Sequence, residues 1–118
     1  MKYQLLIVLI LAVLVSASPA RAGAGWTDHV EVLELTPTAL FYYEIHLKGG
    51  GNKSGCRDKD WFYLVYETPG ADKMFDLFVD AMQSKLRVKV YVNGLCNLQG
   101  YSEITAVSAS PANDSNNQ

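Results

Sequence analysis

The sequence predicts a mostly β domain with a single helix. Three observations carry that prediction. Five stretches alternate apolar and polar side chains or run apolar for the length of a strand. One stretch, Ala71 to Lys85, has helical periodicity. Two cysteines, Cys56 and Cys96, bracket a strand, the helix and a second strand.

Ahead of the domain lies a leader. Lys2 is a short positive start, and Leu5 to Val15 is an unbroken apolar run. That run is too short to span a bilayer, which takes about 20 residues. Ala20-Arg21-Ala22 puts small residues at the two positions a signal peptidase reads. Residues 1–22 are therefore expected to be a cleaved signal peptide, and the protein to be secreted or periplasmic with no membrane insertion after cleavage. The chain has 118 residues, and residues 23–109 suffice for one small domain. Loss of Lys2 and Arg21 leaves eight basic residues against twelve acidic ones. Such a balance suits neither a phosphate backbone nor anionic lipid, so no nucleic acid is expected as a partner.

Taken in order, Trp26 to Thr36 reads as a long first strand. Val30 and Val32 alternate with Glu31, then the phase moves to Leu33 and Leu35 around Glu34. A phase change inside a strand marks a bulge or bend. Pro37 ends it. Thr38 to Leu47 is the second strand, with Phe41, Tyr43, Ile45 and Leu47 on one face and Tyr42, Glu44, His46 and Lys48 on the other. Gly49 to Gly55 is expected to be a mobile connection. It is no phosphate-binding loop, because Lys53-Ser54 follows Asn52 and no helix begins there. Arg57 to Asp60 reads as a solvated turn. Trp61 to Glu67 is nearly all apolar and should be the most buried strand.

Thr68 is placed to cap a helix with Pro69 at its first position. Met74, Leu77, Phe78, Ala81 and Met82 then form the apolar stripe, widened by Phe75 and Val79. Asp72, Asp76 and Asp80 recur every four residues and share the polar face. Leu86 to Asn93 alternates again, with Arg87, Lys89 and Tyr91 outward. Asn93-Gly94 signals a turn. Gly100 to Ala109 is the last strand, its larger apolar residues being Tyr101, Ile104 and Val107. Residues 110–118 read as a disordered C-terminal tail.

The order β-β-β-α-β-β, with a long bent first strand, is that of an OB-fold, a five-stranded Greek-key barrel. Another arrangement of sheet and helix is the runner-up. In an OB barrel the third and fifth strands lie side by side and parallel. Cys56, before the third, and Cys96, before the fifth, would then meet at one end of the barrel. In an oxidising compartment the pair reads as a disulfide. Zinc would need two further ligands, and His29 and His46 are the only histidines. No metal site and no cofactor is expected.

The candidate ligand-binding residues are Tyr42, Glu44 and His46 on the outward face of the second strand, with Trp61 or Tyr63 beside them. OB barrels commonly bind on this part of their surface. Trp61 itself is read first as a core residue or as packing for the disulfide. Tyr91, beside Arg87 and Lys89, is a second candidate. No activated nucleophile and no catalytic constellation can be named, so no enzyme activity is expected. Two Asn-x-Ser sites, at Asn52 and Asn113, fall in segments read as exposed.

From Cys56 through the strand Trp61–Glu67, the helix Ala71–Lys85, the strand Val88–Val92, Cys96 and on to Val107, the chain resembles a known family. These are the secreted, disulfide-bonded OB-fold B subunits of bacterial pentameric toxins, the subtilase-cytotoxin and pertussis-like group. The resemblance implies a carbohydrate-binding module that assembles as a homopentamer. The expected function is a non-catalytic secreted binding module with a glycan ligand. The alternative is a secreted protein-interaction factor, an inhibitor or accessory subunit, whose ligand is another protein.

Overall fold

The structure, a computed structural model, describes residues 23–112. The signal expected over 1–22 and residues 113–118 of the tail lie outside the described residues. Six strands and one helix follow in order: β1 (Ala24–Trp26), β2 (Val32–Pro37), β3 (Tyr42–Leu47), β4 (Trp61–Val65), α1 (Ala71–Ser84), β5 (Arg87–Cys96) and β6 (Ser102–Ser110). They form one sheet in the order β1-β5-β6-β4-β3-β2. β4 and β6 pair in parallel, and every other neighbouring pair is antiparallel.

The expected five strands are thus six, because the first stretch divides. Ala24 to Trp26 pairs with β5, whereas Val32 to Pro37 pairs with β3. Between them the chain keeps hold of β5. Thr27 N donates to Val90 O at 2.9 Å, and Val30 and Val88 exchange backbone bonds at 2.7 and 2.8 Å. Val30 and Val32, alternating around Glu31, are both buried, Val30 against Val88 and Val32 against Leu47, and the phase change the sequence shows just beyond them appears as a register shift between Val32 and Glu34. β1 and β2, the two ends of the sheet, therefore belong to one continuous segment, and no unbroken ladder joins them.

The core lies on one face of this sheet. Ile45, Leu47, Phe62, Leu64, Val88, Val90, Val92 and Ile104 supply it at alternate positions, and α1 closes it with Ala71, Phe78 and Ala81. β4 lies between β3 and β6, and its middle three residues are buried, as its apolar run predicts.

Three local expectations are corrected. The second strand begins at Tyr42, and Phe41 points into solvent at φ 72° with 75% of its surface exposed. The residues ahead of it are taken by a turn. Thr38 Oγ1 donates to Tyr42 O at 2.6 Å and accepts from Leu40 N at 3.1 Å. The Tyr66 hydroxyl holds both ends of the Thr38 backbone. Next, the helix starts after Gly70, which is left-handed at φ 80°, with no side-chain cap. Thr68 and Pro69 instead form a turn, in which Thr68 N donates to Val65 O and Ala71 N to Thr68 O.

Finally, the glycine-rich segment 49–55 is pinned. Ser54 is buried, its Oγ is 2.5 Å from Ser102 Oγ, and Cys56 N donates to it at 3.3 Å. Asn52 Nδ2 donates to Lys59 O and to Ser102 Oγ, while its Oδ1 accepts from Ser54 N. Buried polar groups persist only when bonded in this way.

The Tyr43 ring stacks on Phe75 of α1 at 4.0 Å, and its hydroxyl donates to Asp72 Oδ1 at 2.8 Å. Asp72 is thereby turned toward β3. That bond, helped by burial and the neighbouring carboxylates, pushes the Tyr43 phenol up to about 12.

Candidate functional site

The candidate site is the outward face of β3, β4 and β6, opposite the core. Alternation turns Tyr42, Glu44 and His46 outward while Ile45 and Leu47 go in. Register does the rest. Glu44 lies across from Tyr63, His46 from Trp61, and Tyr63 in turn from Glu103 of β6. Neither Trp61 nor Tyr63 belongs to the core cluster, which corrects the core reading of Trp61.

Two aromatic groups result. His46 stacks on Trp61 at 4.4 Å with planes 5° apart, and Tyr101 stacks on Trp61 at 5.6 Å and 20°. Since β3 and β6 flank β4, His46 and Tyr101 cover opposite sides of the indole. Trp61 therefore offers its edge to a ligand rather than a free face. Beside this row, Tyr42 meets Tyr63 edge-on at 5.6 Å. The Tyr63 hydroxyl donates to Glu103 Oε1 at 3.0 Å, and the Tyr42 hydroxyl to Gln99 Oε1 at 3.2 Å.

Glu44 lies between the two groups. Its charge raises the phenols of both Tyr42 and Tyr101, in each case after the larger effect of burial. Asp58 and Tyr42 add to the rise at Tyr101. Tyr63 is pushed up by burial first and then by its bond to Glu103. All three phenols therefore stay protonated donors around neutral pH. Among the described residues, no hydrogen bond or ion pair engages the Glu44 carboxylate.

The segment 97–101 completes the face, and it is tightly held. Cys56 and Cys96, 40 residues apart, form a disulfide with Cα atoms 5.6 Å apart. Asn97 Oδ1 accepts from Gln99 N and Tyr101 N, and Asn97 N donates to Tyr101 O. Arg57 Nη2 donates to Gln99 O at 2.5 Å. Gly100 is left-handed at φ 86°, and a Cβ there would lie 2.9 Å from Arg57 Cβ. Gly100→Ala is expected to cost about 2 kcal/mol or more, from the left-handed backbone plus the clash. Chemical denaturation checks this, and the same variant should loosen the Tyr101 stack, read as a change in Trp61 fluorescence.

Tyr91 does not join this face. It lies on β5, which β6 separates from β4, and meets Trp26 edge-on at 5.7 Å. Lys89 Nζ sits 4.9 Å from the centre of the Trp26 ring. Sequence reasoning missed Trp26, Gln99, Tyr101 and Glu103. Parity turns Tyr101 and Glu103 outward because Ser102 and Ile104 are fully buried, and a polar residue at the first of these positions conceals that parity in the sequence.

A groove of about 440 Å³ lies elsewhere, lined by Val32, Met82, Leu86 and Arg87 among others. Among the described residues no cluster of His, Cys, Asp and Glu could hold a metal ion, and no helix is long and apolar enough to cross a membrane. No protein-family model, curated protein or solved structure matches this chain.

Proposed function

We propose that the chain is a secreted, non-catalytic binding module of OB-fold type that recognises carbohydrate through the outward face of β3, β4 and β6. The observation that carries the reading is the Glu44 carboxylate without a partner, set among protonated tyrosine hydroxyls on a rigid aromatic platform. Sugars present hydroxyls to such groups and their apolar C–H faces to such rings.

The OB assignment rests on the strand order. With β1 and β2 counted as halves of one bent strand, the sequence of pairings is that of the five-stranded Greek-key barrel. Secretion rests on the leader read over 1–22, and the disulfide is compatible with it. The face is complete within one chain, so the proposal holds for a monomer as for a ring of five.

A glycan array of the disulfide-bonded protein tests the ligand class. A hit is expected, weakened about tenfold or more by Tyr42→Ala or Glu44→Ala. A blank array with folded protein overturns the carbohydrate part.

One observation favours a second reading, a protein-interaction factor. Leu40 and Phe41, 61% and 75% exposed, project from the turn that Thr38 and Tyr66 hold rigid. A strained, exposed phenylalanine suits a docking contact with another protein. Recovery of one stoichiometric partner from the native secretome, lost in Phe41→Ser, would select this reading.

A further inference from the structure

We infer that the ligand of this face is an amino sugar, its protonated amine held by the Glu44 carboxylate beside the rings of Tyr42 and Tyr101. The inference deepens the carbohydrate reading and rests on it.

The argument is one of charge placed against aromatic surface. Glu44 has Tyr42 and His46 two residues away on its own side of β3, and Tyr63 directly across in register. A second carboxylate, Glu103, lies on the far side of Tyr63 and accepts the hydrogen bond of its hydroxyl. Asp58, a third, is occupied by the backbone N–H groups of Asp60 and Trp61. The nearby cations are otherwise engaged. Arg57 donates to Gln99 O, Lys59 Nζ to Ser54 O, and Lys89 lies over Trp26 beyond β6. Among the described residues none of these cations forms an ion pair with the Glu44 carboxylate. Burial raises the phenols of Tyr42 and Tyr101, and the charge of Glu44 raises both further.

Each chemical class of sugar meets this arrangement differently. A carboxylated or sulfated sugar is repelled by Glu44 and Glu103. A neutral sugar satisfies the hydroxyls but leaves the central charge without a counterion. An ammonium group satisfies the carboxylate and is also attracted to the electron-rich ring faces. Aromatic rings around a carboxylate are a general solution for binding a positively charged nitrogen.

The test compares a short glucosamine oligomer with its N-acetylated counterpart by isothermal titration calorimetry at neutral pH and low salt. The acetyl group removes the charge of the nitrogen and also adds a carbonyl and a methyl, so the Glu44 variant is needed to separate charge from bulk. The free amine is expected to bind about tenfold tighter or more, with a preference that shrinks as salt is added. In Glu44→Gln, which keeps the shape and one acceptor oxygen but removes the charge, the preference should fall below about threefold. Equal or tighter binding of the N-acetylated oligomer overturns the inference and leaves the carbohydrate reading standing. A preference undiminished in Glu44→Gln also overturns it. Failure of both oligomers to bind overturns the inference, and with a blank glycan array it removes the carbohydrate reading too.

Discussion

Replacing Cys56 and Cys96 together by alanine is expected to lower the unfolding free energy by about 4 kcal/mol, the chain-entropy value for closing a loop of this length. The bond spans a sequence separation of 40 residues and joins the approach to β4 with the end of β5. Those segments hold little apolar surface with which to replace it. Cys96, Leu95, Leu98 and Gln99 are exposed, and of the apolar residues near the bond Cys56 is the one buried. A loss of that size is a large fraction of the stability of a small domain, about 5–15 kcal/mol. Equilibrium denaturation of the variant against the oxidised protein measures it. A loss under about 1 kcal/mol would mean that the segments hold their places without the bond. The effect should also reach the ligand face. Segment 97–101 starts next to Cys96, so the variant should weaken any ligand that wild type binds, even where both are fully folded.

The second large effect is at Phe78, the largest fully buried side chain. It projects from α1 into the core formed by β2 to β6. Phe78→Ala removes most of a ring from a close-packed interior and is expected to cost about 3–5 kcal/mol. Phe78→Leu keeps most of the volume and should lose well under half of that. Thermal or urea unfolding of the pair checks both the size and the ratio. Similar losses in the two variants would mean that ring shape, not filled volume, holds the helix on the sheet. Met82, exposed on the same helix, is the control, and Met82→Ala should lie within about 0.5 kcal/mol of wild type.

Much of this fold is legible where one periodicity runs unopposed. The alternation of Val88, Val90 and Val92 maps directly onto the core, and of the expected helical stripe Phe78 and Ala81 lie in it with Met74 packed against it, while Met82 is exposed. Legibility fails where side chains bond to backbone instead. Thr38 ends the regular pairing that its strand-like neighbours suggest, because its hydroxyl closes a turn on Tyr42. Phe41 then faces water despite its hydrophobicity. Gly70 starts the helix in place of the Thr-Pro pair because the backbone turns there through a left-handed residue. In the site, Tyr42, Glu44 and His46 are legible from parity alone. Tyr101 and Glu103 are hidden by Ser102, a small polar residue that occupies a buried position where an apolar one is expected. Ser102 is tolerated inside because Ser54 and Asn52 bond to it, and those partners lie about fifty residues away in sequence.

That buried trio bears on how the protein can be made. Asn52-Lys53-Ser54 has the form of an N-glycosylation site, but the folded chain leaves it nothing to modify. Both amide hydrogens of Asn52 are already donated, to Lys59 O and to Ser102 Oγ, and the Ser54 hydroxyl is sealed inside. A sugar attached before folding would take one of those hydrogens and place a bulky polar group against Ser102. Glycosylation at Asn52 removes at least one of these bonds, so modified chains from a glycosylating host are expected to be less stable than unmodified ones, which thermal unfolding of the separated forms checks.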